Sequence, residues 1–270
     1  MRSSLFLLGV FAACARPPEP APIPTTLGQR AAPSVVSRTT VGGEASGVTV
    51  DANGKRFVWV RGAGLHELTA NGLVLALSAT SLGTAPLPDI EDAVIVDANR
   101  LAVIAKNEGY VVGLTTGQIY NRFCYLPGGP LPSPSPSPGP VRWQLSRSLG
   151  YDAKEDRLYV QPQSFTGERT LTDSELGVFD PSLPDPLEWQ PLNDPTFAAG
   201  GMAVGSRERI FFGMGTRLYQ YDATARRYDA WWDLDGVVSS IEGLALDRVS
   251  GTLLVLDAQE VVELRLDSGQ

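Results

Sequence analysis

Along most of this chain apolar and polar positions alternate with a period of two. The apolar runs are rich in Val, Leu, Tyr and Phe and are broken by Asp, Asn and Gly. A period of two places successive side chains on opposite faces of an extended strand, and the breakers are turn formers. No stretch holds a 3.6-residue period long enough to predict a helix. Five segments, 47–60, 93–104, 149–160, 201–212 and 243–256, share one order. Each has a small residue, an apolar strand, usually an Asp, a polar turn and a second apolar strand. A third strand with its turn follows at 65–72, 110–117, 176–182 and 218–224. A fourth, more polar or aromatic strand follows at 73–77, 119–125, 187–192 and 227–234.

Four short antiparallel strands repeated every 40–55 residues or so is the period of a propeller blade. The pattern predicts an all-β propeller of five blades over 34–270, with six as the alternative because the units are uneven. The fifth unit reaches only its third strand, 261–266, and a turn, 267–269. A blade without its outer strand leaves an unpaired edge. The spare strand is 34–41, which precedes the first unit, and pairing it with the last blade closes the ring. The strand–Asp–turn–strand segments 47–60 and 243–256 resemble those of NHL-like and SMP-30-like β-propellers. That resemblance implies an architecture and leaves function open.

The N-terminus reads differently. Arg2 is followed by an apolar stretch, 5–13, too short to span a bilayer as a helix but suited to an export signal. The segment Val10-Phe11-Ala12-Ala13-Cys14 resembles a bacterial lipobox, departing from it at Phe11. The resemblance implies a signal peptide over 1–14 and a diacylglycerol on Cys14. Localisation would then be exported and lipid-anchored, at the periplasmic side or the cell surface. Reading Ala13-Cys14-Ala15 as an ordinary cleavage site implies plain secretion instead. The Pro-rich stretch within 15–33 predicts an extended tether, and the Pro/Ser run 126–140 a solvated loop.

Composition narrows the chemistry. A hydrophobic share of 43% is enough for a core, and a net charge of −8 with no basic stripe argues against nucleic acid. The single His66 and the two cysteines, Cys14 and Cys124, leave little for zinc sites or catalytic triads. His66 lies in a third strand and reads as a partly exposed blade residue, and Cys124 as a buried thiol. The recurrent Asp51, Asp97, Asp152 and Asp247, with Gly205 in the fourth unit, read as turn acceptors of backbone N–H groups. Tyr228, Trp231 and Trp232 read as packing between blades, with one indole facing outward.

Five residues before each of these positions stand Ser46, Asp92, Arg147, Gly200 and Glu242, expected to ring one mouth of the central channel. SMP-30-like enzymes hold a divalent metal there, so the resemblance brings in Asp92 and Glu242, with Glu91 and Glu44 nearby, as oxygen ligands for calcium or magnesium. Arg147 opposes a cation and suits an ion pair with either carboxylate. Two functional readings follow. One is a non-enzymatic, monomeric surface lipoprotein whose propeller binds a protein, peptide or glycan. The other is a metal-dependent hydrolase of the lactonase type.

Overall fold

The computed structural model describes residues 27–81, 90–105, 108–124, 142–165, 175–192 and 200–266. The chain makes β1 (Ser34–Thr40) and then four complete sheets. The first blade is β2 (Ala45–Val50), β3 (Arg56–Val60), β4 (Gly64–Thr69) and β5 (Gly72–Ser78). The second is β6 (Ile90–Ile95), β7 (Arg100–Ala105), β8 (Glu108–Gly113) and β9 (Ile119–Cys124). The third is β10 (Arg142–Asp152), β11 (Arg157–Phe165), β12 (Glu175–Phe179) and β13 (Pro186–Pro191). The fourth is β14 (Gly201–Ser206), β15 (Arg209–Met214), β16 (Arg217–Asp222) and β17 (Arg227–Asp233). The fifth has β18 (Gly243–Asp247), β19 (Thr252–Asp257) and β20 (Glu260–Arg265), and β1 supplies its outer strand. The described residues therefore form a five-bladed propeller, all blades antiparallel, with no sixth sheet. The signal segment 1–14 with Cys14, the tether up to residue 26 and the loop 126–140 lie outside the described residues.

The core is divided into five seams, one between each pair of neighbouring blades. Each strand turns alternate residues to the blade before and the blade after. In β19, Leu253 and Val255 pack toward the fourth blade, while Leu254 and Leu256 pack toward the first. Both faces are buried, so this strand reads as an unbroken apolar run rather than a half-polar one. Burying each such side chain contributes about 1.5–3 kcal/mol. Around the axis the inner strands β2, β6, β10, β14 and β18 pack against one another in order, and β18 returns to β2. The approach is close at Gly201, where a Cβ would sit 2.7 Å from the Gly243 backbone.

Closure follows the predicted strand. β1 pairs antiparallel with β20 from Ser34 opposite Arg265 to Thr40 opposite Glu260. Glu263 of β20 is the centre of the join. It accepts from Ser37 of β1 at 2.8 Å, from Thr252 of β19 at 2.8 Å and from both Nη atoms of Arg56, at 2.6 and 2.9 Å. Arg56 belongs to β3 of the first blade and also reaches Asp247 at 3.2 Å. Burial pushes the Glu263 carboxyl up, but the bonds from Arg56, Thr252 and Ser37 outweigh it, so the group sits below its ordinary value.

Two features depart from the plain repeat. Residues 27–30, expected to be tether, lie along the outer edge of the fourth blade. Gln29 bridges Trp231 in parallel, and the Arg30 N–H donates to the Trp231 carbonyl at 2.8 Å. The seam between the third and fourth blades also buries polar atoms. The Tyr159 and Tyr221 hydroxyls are buried there without hydrogen-bond partners among the described residues, and burial pushes each phenol up to about 12. Gln190 of β13 is wholly buried, with neither amide atom partnered among the described residues.

Replacing Arg56 with Leu leaves Glu263 and Asp247 buried without their cation, and should lower the unfolding free energy in urea by roughly 3–5 kcal/mol. A loss below 1 kcal/mol would show the clamp to be dispensable. Because Glu263 is depressed in the fold, its contribution is present above the unfolded carboxyl value of about 4.3 and is lost as pH falls through the folded value. The Glu263→Gln variant should lack that acid-side loss. Gln190→Leu removes two unpartnered polar atoms and should raise the unfolding free energy by about 1–3 kcal/mol; a lowered midpoint would mean that the amide is satisfied in solution.

Candidate functional site

The innermost strand of each blade has one edge without a strand partner, so some of its N–H and C=O groups need acceptors and donors from elsewhere. Side chains of neighbouring blades supply them. Ser46 Oγ of the first blade donates to the Ile90 carbonyl of the second at 2.9 Å, and Thr49 Oγ1 accepts the Ile95 N–H at 3.0 Å. Asp92 of the second blade accepts the Leu149 N–H of the third at 2.8 Å through Oδ2, and its Oδ1 takes the Ala93 N–H at 2.8 Å.

These bonds place the residues expected at the channel mouth. Ser46 and Asp92 are buried and tie the first blade to the second and the second to the third. Burial pushes the Asp92 carboxyl well above its ordinary value, against the pull of the two N–H donors, and the nearby Glu91 charge adds to the rise. Glu91 itself bonds Arg61 at 2.8 Å. Gly200 lies against the Ile241 carbonyl, too close for a side chain. Glu242 is half-buried, and its N–H donates to the Leu256 carbonyl at 2.8 Å. Arg147 is in β10, with its side chain outside the described residues. Among the described residues no three His, Cys, Asp or Glu side chains are grouped to hold a metal ion.

The space on the axis is at the opposite end, where the inner strands run into their turns. A cavity of about 210 Å³ is lined by the inner strands of all five blades, with Val48, Val94, Leu149, Met202, Val204 and Leu244 among the lining residues; all of these but Val94 are buried in the seams between blades. Asp51, Asp97, Tyr151 and Arg248 stand at its rim. The turn aspartates act as the sequence suggested. Asp51 Oδ1 accepts the N–H groups of Asn53 and Lys55, both at 2.8 Å, and Asp97 Oδ1 those of Asn99 and Arg100. Asp152 takes Lys154, and Asp247 takes Val249 and Ser250. Burial pushes Asp97 up, but the Asn99 N–H and the Arg100 side chain at 2.7 Å hold it below its ordinary value. Burial and the Asp156 carboxylate, which accepts its hydroxyl at 2.8 Å, raise Tyr151.

Arg248 is the rim residue that reading the sequence missed. It follows Asp247 in a turn and looks like any solvated turn residue. Its guanidinium instead reaches back across the fourth blade to the third. Nη2 donates to the Val204 carbonyl at 3.0 Å and to the Tyr151 carbonyl at 3.3 Å, and stands 3.9 Å from Asp152. His66 is half-buried in β4, its Nδ1 3.1 Å from the Gly64 carbonyl. Cys124 ends β9, with its side chain outside the described residues. Trp232 is buried against Phe211, with ring centroids 6.0 Å apart. Trp231 faces the other way, donating to the Leu27 carbonyl at 3.2 Å beneath Arg217. No protein-family model and no curated protein matches the chain.

A carboxyl raised by burial favours the fold in its neutral form. The stability that Asp92 lends is therefore fullest below its unfolded value of about 3.9 and declines as pH rises through the folded value. Asp92→Asn does not titrate, so in unfolding measurements from acid to neutral pH the variant should gain on the wild type as pH rises. A difference that stays constant across that range would show that folding leaves the Asp92 carboxyl at its unfolded value.

Proposed function

We propose that this chain is an exported, lipid-anchored, non-catalytic protein whose propeller serves as a binding module, with its ligand seated in the axial cavity at the turn end. The observation that carries the reading is the contrast between the two ends of the axis. At one end Ser46 and Asp92 spend their polar atoms on neighbouring blades. At the other, a cavity lined by the inner strands of all five blades opens at a rim that includes Asp51, Asp97 and Arg248, and small-ligand sites are concave with a few placed polar groups. The lipobox-like segment ending at Cys14 and the Pro-rich stretch after it support the anchor. The propeller architecture, common to binding proteins and enzymes alike, supports neither by itself.

Cell fractionation tests the anchor. Cys14→Ser should move the protein from the membrane to the soluble fraction without changing its thermal midpoint, and a variant that stays with the membrane overturns the lipid. Turnover of a lactone by the purified protein, abolished by chelation and restored by calcium or magnesium, would replace the binding module with a metal-dependent hydrolase.

A further inference from the structure

The chain does not pass straight into its closing strand. Residues 27–30 first lie along the outer edge of the fourth blade, and only then does β1 join the fifth. One residue of β17 receives them. The Trp231 N–H donates to the Gly28 carbonyl at 3.4 Å, its carbonyl accepts the Arg30 N–H at 2.8 Å, and its indole N–H donates to the Leu27 carbonyl at 3.2 Å. Leu27 packs against the seam between the third and fourth blades. Pro33, where the chain crosses to β1, is buried. Arg38 of β1 reaches back toward the fourth blade, its Nη2 donating at 2.6 Å to the carbonyl of Val237, between β17 and β18. The segment 27–40 therefore grips two blades and crosses the seam between them.

β1 alone is a weak place to receive a pull. Its first pair, Ser34 opposite Arg265, joins the N-terminal end of β1 to the C-terminal end of β20, and the register shifts just beyond it, between Val35 and Ser37. A pull arriving from the N-terminal side acts at that end of the ladder and breaks it one pair after another. Side-chain burial offers little resistance, since Val35 and Val36 are 43% and 46% exposed. Once β1 leaves, Glu263 loses Ser37 and β20 presents an open edge. With residues 27–30 in place, the same pull meets Trp231 before it meets Ser34. It then enters a complete blade, in which β17 is paired with β16 from Arg227 to Asp233.

We propose that residues 27–33 are a strap that carries any pull on the N-terminal segment into the fourth blade and so shields the closing strand of the fifth. Its use, keeping the ring shut while the protein is held at a membrane, rests on the reading of Cys14 as the anchor. The load path itself does not depend on that reading.

Optical-tweezers extension of the full, unlipidated chain, held by handles at its two ends, tests the strap. Forced opening follows the rate of unfolding under load. In the wild type, no release of roughly 25 Å, the length of 27–33 at about 3.5 Å a residue, should precede opening of the ring. Arg30→Pro removes the N–H that the Trp231 carbonyl accepts, and Arg30→Ala keeps it. At constant force Arg30→Pro should shorten the lifetime of the closed ring roughly three- to tenfold relative to Arg30→Ala, the range for one hydrogen bond. Trp231→Phe, which deletes the indole donor and keeps an aromatic ring, should shorten it too. Without load, Arg30→Pro and Arg30→Ala should unfold in urea at the same rate. An early release of 27–33, followed by ring opening at a force that Arg30→Pro leaves unchanged, would mean that the segment peels first and shields nothing. An equal loss with and without load would make it ordinary edge packing. Neither readout involves a membrane, so failure of the Cys14 anchor in fractionation leaves this test standing.

Discussion

Five seams can be buried only if the last blade meets the first, and the pairing of β1 with β20 brings the two together. Glu263 gathers that join. Its carboxylate takes bonds from β1, from β19 and from β3 of the neighbouring blade, partners up to 226 residues apart in the chain. Such a buried ion group is weak evidence for net stability, because desolvation offsets much of its attraction. Its value is in register. A one-residue slip of β1 turns every side chain to the opposite face, carries Ser37 away from Glu263 and exposes the residues that now face inward. The apolar face of β19 then seals the seam with Leu254 and Leu256.

Closure creates a second demand, on the axis. Once the blades stand in a ring, their inner edges face one another with unmatched N–H and C=O groups. Glycines at 47, 201 and 243 let some of these edges approach directly. Elsewhere a side chain from one blade caps the edge of another, as Ser46, Thr49, Asp92 and Arg248 do. The caps from Ser46 and Asp92 draw blades one to three together at the end where the inner strands begin, so space on the axis remains where those strands run out. The position of the cavity is therefore a consequence of how the edges are satisfied.

What could be read from the sequence divides along the same line. The repeat, the five blades and the closing strand 34–41 were legible because strand period and turn chemistry are local. The turn role of Asp51, Asp97, Asp152 and Asp247 was legible for that reason too, since each bonds N–H groups within four residues. Asp92 was noticed for its place at the strand start, but its actual partner, Leu149, is 57 residues away in another blade. Arg248 was invisible, because a turn arginine carries no sign that its tip will reach Val204 and Tyr151. Residues 27–30 look like more linker, and only the exposed edge of β17 gives them a place. The unpartnered Gln190 amide has no local signature at all, since β13 alternates much as the other outer strands do.

The polar groups of the ring differ most usefully in what they have left over. Asp92 and Glu263 are buried and bonded on both oxygens, and a ligand could reach them only by breaking contacts between blades. Asp97 is exposed but already holds Arg100. Arg248 is bound firmly enough to have a fixed direction, through one nitrogen, yet keeps its other donors and a share of solvent. Asp51 is fixed by its turn in the same way, through one oxygen. A group held by part of its bonding capacity is oriented in advance, so a ligand that takes up the rest does not have to order it. Charged groups of both signs that keep part of their bonding capacity set the turn end apart from the other end, where the polar groups are spent on holding the ring together.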